Sequence, residues 1–325
     1  MTLSRIASPA LTILVLLGIF YLLRHEISIE RLTILLAGQD VWDLLDSAIL
    51  FAIAIAGTAA RYRYVIRRVT GARTSFSYLL LLTNFSFACS YLAPISVVAE
   101  ILRVGFTRHH LRVNTVDSVR LVLIDKLLGL VGVAMLALVL VPFTLAVAIN
   151  RELIATEVVA IVAFLGALFM LGYAGSWLAL RAPFMGTHAR KIGADWRFIL
   201  SHFVNMRDLG SLCLYTLVAV GGFGAGMVMV ARAVGIDLSA GLILLMSPTV
   251  LLAQNAPMFY AGFGAREAIM LVALKNLVSL DPNSVLGFSV MVGVMLLVAA
   301  TLPALIFLVY AFQWTARDHA DHQGE

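Results

Sequence analysis

The chain has 325 residues, of which 62% are hydrophobic and 13% charged, and its formal net charge is +5. Apolar runs recur from end to end, which excludes a soluble globular domain and indicates an all-α polytopic membrane protein. These runs lack period-two alternation and exceed the roughly ten-residue strands of an outer-membrane barrel. The basic residues cluster in short loops between apolar segments, where they set membrane orientation and do not indicate nucleic-acid binding.

Six segments are long enough to cross a bilayer, at about twenty residues per crossing. They are residues 6–23, 44–66, 119–141, 156–180, 211–231 and 285–312. The first is followed by Arg24, His25 and Glu26, where a signal peptide needs small cleavage residues, so we expect a retained helix. We treat 1–318 as one transmembrane domain and 319–325 as a short polar tail.

Two further apolar stretches remain, at 76–102 and 242–275. Loops 61–75 and 103–120 flank the first stretch and are both rich in arginine, so the positive-inside rule puts both on the cytoplasmic side. An apolar segment whose two flanking loops lie on the same side of the membrane must enter the bilayer and return to that side. The sequence therefore predicts a re-entrant hairpin, broken near Pro94.

The second hairpin, 242–275, is predicted to start and end outside, because the arginine-rich loop 181–210 lies inside and the next span exits. Its break contains Pro257, Gly262 and Gly264. The order span, hairpin, span thus occurs twice, and the hairpins enter from opposite faces as in an inverted repeat. The predicted halves and their linker are 44–141, 211–312 and 142–210. Such repeats hold the substrate near the bilayer midplane. With this order of spans and hairpins, both termini lie on the cytoplasmic side.

Charged residues within apolar segments are functional candidates, because a charge at the bilayer centre costs roughly 2.5 kcal/mol or more. These are Glu100, Arg103, Asp125, Lys126, Arg266 and Glu267. Glu100 and Arg103 stand three residues apart on one helical face, where they can pair. Two interpretations are open: structural ion pairs between helices, or a polar path for a zwitterionic or anionic headgroup.

A short helix that begins near Gly264 would direct free backbone N–H groups to mid-depth, with Arg266 in its first turn. This arrangement predicts a phosphate site. A nucleotide-binding loop is excluded because no strand precedes the glycines. Cys89 and Cys213 lie in apolar segments and the histidines show no metal spacing, so we expect no disulfide, metal or cofactor.

Three motifs carry a family resemblance: NFSFACSYLAPISVVAEILR, then the charged pair DK after the arginine-rich loop, then APMFYAGFGARE. In this order and spacing they resemble the lysylphosphatidylglycerol synthase transmembrane-domain family over most of the chain. The residues that carry the resemblance are Asn84, Pro94, Glu100, Arg103, Asp125, Lys126, Pro257, Gly262, Gly264 and Glu267. With Asn255 and Arg266, they form our set of candidate substrate-binding residues.

The resemblance implies a flippase-like protein that moves a phospholipid or polyprenyl-linked lipid between leaflets of a bacterial-type inner membrane. The stretch from Ile95 to Ala99 lacks the glycines usual in the family, and Lys126 stands where the family often has arginine. The chain ends at Glu325, which leaves no room for an aminoacyl-transferase domain, so lysyl transfer is not expected. A homo-oligomer is left open.

No Walker motif occurs, so lipid transport by this chain would not be driven by an ATPase domain of its own. Two other functions compete with lipid transport. One is a membrane-embedded enzyme acting on a lipid phosphate, with Asp125, Glu100 or Glu267 as acid or base. No nucleophile and base, metal cluster or large polar loop supports it. The other is a small-solute or ion transporter of the same architecture.

Overall fold

The computed structural model describes residues 39–92, 98–147, 205–254, 265–278 and 280–323. These residues form eight α-helices and no strands. The helices are α1 (Val41–Thr70), α2 (Phe76–Leu92), α3 (Val98–Leu111), α4 (Thr115–Val147), α5 (Met206–Ala233), α6 (Ala240–Gln254), α7 (Ala265–Val278) and α8 (Pro282–Gln323). The predicted all-α polytopic class is confirmed, and the protein is a multi-pass membrane protein.

Four of the described helices are long and apolar enough to cross a membrane. They are Val41–Thr70, Thr115–Leu140, Asp208–Ala233 and Pro282–Val309, which overlap the four predicted spans in these regions. The predicted spans 6–23 and 156–180 lie outside the described residues. The shorter apolar helices Phe76–Ser90 and Ala240–Leu252 begin the two predicted hairpins. Both hairpin breaks also lie outside the described residues, so re-entry stays a prediction.

Helix ends follow local sequence signals. The Asp40 carboxylate caps α1 by accepting the backbone N–H of Trp42 at 2.9 Å. Gly71 ends the same helix in the left-handed region, at a φ of 71°, and its N–H donates to the carbonyl of Arg67 at 3.0 Å. At the start of α8, the carboxylate of Asp281 accepts backbone N–H groups of the first turn. The sequence thus fixes several boundaries locally.

The most extensive helix pair is α1 with α5. Glycines let the two backbones approach closely. A Cβ added at Gly57 would lie 2.9 Å from the backbone nitrogen of Ala219, and one added at Gly222 would lie 2.9 Å from the carbonyl oxygen of Leu50. Small residues at such crossings are typical of membrane helices, whose association depends on close packing. Among the described residues, the largest buried apolar cluster lies beside this pair, among α1, α5, α6, α7 and α8.

The two halves of the described chain share one packing pattern. Helices α1–α4 have 30, 17, 14 and 33 residues, and α5–α8 have 28, 15, 14 and 42, so each half runs long, short, short, long. Helix α2 packs against α8 as α6 packs against α4, and α1 packs against α8 as α5 packs against α4. If α1–α4 are replaced by α5–α8 and the reverse, every larger helix–helix contact among the described helices maps onto another such contact.

One predicted boundary needs correction. Residues 61–75 were interpreted as a loop, but α1 continues to Thr70, and its buried face extends past Arg63 to Val65 and Ile66. Arg61 therefore lies inside the helix and is buried. At the C-terminal end of the described chain, α8 continues to Gln323.

Candidate functional site

A cavity of about 200 Å³ lies where seven of the described helices meet. Its charged side chains come from α1, α3 and α4, and they are Arg61, Glu100, Arg103, Asp125 and Lys126. The lining residues from α5, α6 and α8 are all uncharged, and they are Ala219, Val220, Phe223, Leu251, Gln254 and Leu296. The first half thus supplies all the charged side chains of the lining, which we call the charged wall, and the second half supplies uncharged and largely apolar ones.

Asp125 is the centre of the charged wall, and the solvent-exposed fraction of this residue is 0%. Its Oδ1 accepts a hydrogen bond from Arg61 Nε at 3.0 Å, and its Oδ2 accepts one from Arg103 Nη2 at 2.9 Å. A buried carboxylate without such partners would cost several kcal/mol. Because the arginines belong to α1 and α3, the carboxylate on α4 connects three helices.

Arg61 was missed as a site residue because its charge was assigned to a loop. Ala54 precedes it by seven residues and Val65 follows it by four, and both are buried. This helical spacing is the signal that predicts a buried face. A Cβ added at Gly129 would lie 2.6 Å from Arg61 Nη2, so the glycine leaves room for the guanidinium. Within the described residues, Asp125 is its hydrogen-bond partner.

Arg103 is held from a second side by an aromatic ring. Its guanidinium carbon lies 4.0 Å from the ring centroid of Tyr62, which is a cation–π distance. The Tyr62 hydroxyl is in turn 2.7 Å from the Thr107 hydroxyl. Tyr62 therefore positions Arg103 at the cavity, and hydropathy alone gave no sign of this role.

Lys126 and Glu100 form the second ion pair of the charged wall. Both side chains retain partial exposure, and both line the cavity. The sequence spacing allowed Glu100 to pair with Arg103 on its own helix. The structure instead pairs each of them with a residue on α4, because α3 and α4 pack side by side.

The charged pair of α7 forms a separate cluster. Arg266 is fully buried, and its Nη2 donates to Glu267 Oε1 at 2.6 Å. Its Nε donates to Glu267 Oε1 at 3.1 Å and to Ser289 Oγ at 3.0 Å, while Ser289 Oγ donates to the same carboxylate at 2.9 Å. These residues do not line the central cavity. A phosphate-binding role for Arg266 stays a prediction.

Asn84 does not line the cavity. Asn84 is buried in α2, where its Nδ2 donates to the carbonyl of Leu80 at 2.8 Å. The candidates in the two hairpin breaks lie outside the described residues, namely Pro94, Asn255, Pro257, Gly262 and Gly264. The structure thus brings together Glu100, Arg103, Asp125 and Lys126 and adds Arg61 to them. In the residues that the structure describes, no cluster of His, Cys, Asp and Glu could hold a metal ion.

A comparison with protein families matches residues 9–316 to the lysylphosphatidylglycerol synthase TM region. A comparison with curated proteins gives no match. The family match covers nearly the whole chain, including every residue of the central cavity. It indicates a membrane protein related to lipid modification or transport.

Proposed function

The chain belongs to the lysylphosphatidylglycerol synthase TM region family, and on this premise we propose that it moves a lipid with a phosphate-bearing headgroup between leaflets. The substrate is a phospholipid or a polyprenyl-linked lipid. The observation that carries the proposal is the central cavity, whose lining combines the charged wall with apolar side chains. A lipid presents the same two chemistries, a polar headgroup joined to apolar chains.

The charge balance of the cavity favours an anionic group. Three cations and two carboxylates line it, which leaves a net charge of +1. Arg61 and Arg103 each give only one nitrogen to Asp125 among the described residues, so their remaining guanidinium donors are available to a ligand. Arginine forks match phosphate oxygens with two charge-assisted hydrogen bonds. A headgroup phosphate between these arginines would neutralise the excess charge.

Polar atoms at the cavity also support a ligand there. Within the described part of the chain, Ser86 Oγ, Glu100 Oε2 and Arg103 Nε are buried and have no hydrogen-bond partner. All three residues line the cavity. A buried polar atom without a partner costs about 1–3 kcal/mol, so native proteins seldom leave one unused. A headgroup that carries both acceptors and donors would supply the missing partners.

The size of the cavity fits a headgroup. Pockets for drug-sized ligands span about 300–1,000 Å³, whereas this cavity is about 200 Å³. Acyl or polyprenyl chains would therefore remain outside, in contact with apolar helix surfaces and the bilayer. Movement of the headgroup alone through a polar path, with the chains left in lipid, avoids transferring the charge through hydrocarbon.

The repeated packing pattern supports alternating access. We propose that α1–α4 and α5–α8 are inverted repeats, in which α2–α3 and α6–α7 are the two re-entrant hairpins. Because α2 packs against α8 and α6 packs against α4, each proposed hairpin rests on the last helix of the other half. Rocking of one half against the other would then move both hairpins together and open the central site to alternate sides.

The arginine distribution supports an orientation for this cycle. Residues 62–75 contain four arginines and no acid, and the positive-inside rule puts such a region on the cytoplasmic side. We therefore propose a bacterial-type inner-membrane location with both termini in the cytoplasm.

Leaflet exchange of fluorescent phosphatidylglycerol in proteoliposomes tests the proposed function, with a membrane-impermeant quencher reading the outer leaflet. We expect Arg103→Gln to slow exchange by about tenfold or more, because it removes both the charge and the fork. Arg103→Lys keeps the charge but lacks the planar fork of donors, so its rate of leaflet exchange should lie between those of the wild type and Arg103→Gln.

Arg108→Gln is the matched control, since Arg108 lies exposed on the same helix and does not line the cavity. It should exchange lipid at the wild-type rate. All proteins are compared at equal reconstitution and after a check that they are monodisperse. Wild-type exchange in Arg103→Gln, or no exchange by the wild type above empty liposomes, would contradict lipid transport through this cavity.

A further inference from the structure

A second polar cleft, of about 330 Å³, lies at the arginine-rich end of α1. It is lined by Arg63, Arg67, Ala72, Arg73 and Thr74. None of these residues lines the central cavity. Arg63 stands two residues after Arg61, which is about 200° around the helix, so the cleft and the cavity occupy opposite faces of α1.

The turn after α1 builds the floor of this cleft. The left-handed conformation of Gly71 reverses the chain at the end of the helix. The following segment then returns along α1, and Arg63 Nε donates to the carbonyl oxygen of Thr74 at 3.0 Å. This bond fixes the direction of the Arg63 side chain and leaves its terminal nitrogens for another partner.

Thr74 provides a second and independent sign of a ligand. The residue is only 4% exposed, and its hydroxyl has no hydrogen-bond partner within the described residues. A buried hydroxyl without a partner costs about 1–3 kcal/mol. Thr74 lines the same cleft as the arginines, so an acceptor or donor bound there would satisfy it.

The charges of the cleft favour an anion. Among the described residues, three arginines line it and no carboxylate does. Arg63 and Arg67 stand four residues apart on one helix, and like charges at that spacing destabilise a helix. Favourable interaction with the C-terminal end of the α1 dipole accounts for Arg67. It does not account for Arg73, which lies beyond the helix, or for the unused hydroxyl.

The position of the cleft along the membrane normal indicates which kind of anion it meets. A helix of 30 residues is about 45 Å long, whereas the hydrocarbon core of a bilayer is about 30 Å thick. The arginines lie at the C-terminal end, and charges are costly in hydrocarbon, so the last turns of α1 extend into the headgroup region. At that depth, lipid phosphates are the most abundant anions.

We propose that this cleft is a binding site for the phosphate of an anionic lipid headgroup, separate from the central cavity. Arg63, Arg67 and Arg73 bind the phosphate oxygens, and the Thr74 hydroxyl donates to one of them. Such a site would hold a headgroup at the membrane surface next to the helix that lines the transport cavity. The proposal does not depend on transport, since it concerns equilibrium binding alone.

Native mass spectrometry of the full chain in detergent with short-chain phosphatidylglycerol tests this site. The Arg67→Gln, Arg73→Gln double variant should raise the lipid concentration needed for half occupancy of one site by about tenfold. The matched control is the Arg108→Gln, Arg112→Gln double variant, which removes two exposed arginines outside the cleft and should bind like the wild type. Equal weakening in both doubles would mean non-specific charge attraction and would overturn the proposal.

Two further arms separate the remaining outcomes. Thr74→Val keeps the shape of the side chain and removes the unpartnered hydroxyl, so it should weaken lipid binding about threefold without loss of thermal stability. Unchanged binding would overturn the role of Thr74. Inorganic phosphate is the second probe: displacement of the lipid by equimolar phosphate would identify a soluble anion as the ligand and overturn the lipid assignment.

The same measurement in Arg103→Gln distinguishes the cleft from the transport site. We expect this variant to retain the lipid whose binding depends on Arg67 and Arg73, even where leaflet exchange is slow. Loss of that lipid in Arg103→Gln would show that the central cavity binds it, and the second site would be rejected.

Discussion

Replacement of Asp125 by asparagine is the sharpest test of the charged wall. Asparagine has nearly the same shape and can still accept a hydrogen bond, but it cannot compensate the charges of Arg61 and Arg103. Both arginines bond to the carboxylate, at 3.0 Å and 2.9 Å. The net charge of the five cavity residues would rise from +1 to +2. The variant therefore isolates electrostatic compensation from packing.

The expected loss of stability follows from this burial. Removing one partner from a buried ion pair costs about 3–5 kcal/mol. A cavity of about 200 Å³ next to the cluster gives water access to the arginines and reduces this cost. We therefore expect the free energy of unfolding to fall by about 3 kcal/mol, which is roughly a hundredfold in the ratio of folded to unfolded protein.

Reversible unfolding in mixed micelles, followed by the helical circular dichroism signal, measures this difference. A second variant, Arg61→Met with Asp125→Asn, removes one of the uncompensated charges. It should regain about 1–2 kcal/mol relative to Asp125→Asn alone, because residues in one ion network do not act additively.

Either of two results would refute the reasoning. One is a stability of Asp125→Asn within about 0.5 kcal/mol of the wild type, which would mean that the carboxylate does not compensate the arginines. The other is a double variant whose loss equals the sum of the losses measured for Asp125→Asn and for Arg61→Met alone. That result would show that Arg61 and Asp125 are not coupled.

Three further predictions concern other parts of the fold. Gly129→Ala should displace the guanidinium of Arg61 and slow leaflet exchange. Gly221→Ala is the control, because an added Cβ there meets nothing within 4 Å, and it should leave the exchange rate unchanged. Equal exchange rates in the two variants would contradict the tight fit at Gly129. Burial, and secondarily His109, lowers the pKa of His110, so its contribution to stability is present above about pH 6.5 and is lost as the pH falls through its folded pKa. His110→Gln should flatten this dependence in unfolding titrations. Arg266→Ala should destabilise the protein by about 3 kcal/mol, and simultaneous Glu267→Gln should restore part of that loss if the pair is structural.

The membrane class and much of the helix order could be predicted from hydropathy. Burial in lipid requires about twenty apolar residues per crossing, and this requirement is visible in one dimension. The four described spans overlap their predicted ranges, and the ends at Asp40 and Gly71 carry local capping signals. The first and fourth predicted spans lie outside the described residues, as do the hairpin breaks.

The partners of the charged residues were decided by tertiary packing. Sequence spacing allowed Glu100 to pair with Arg103, but α4 brings Lys126 to the first and Asp125 to the second. Arg61 was counted with the neighbouring loop arginines, and only the packing of α1 against α4 shows it at the cavity. Hydropathy measures how strongly a segment avoids water. Which buried charges compensate each other depends on distances between helices, and these are set by side-chain packing across the whole fold.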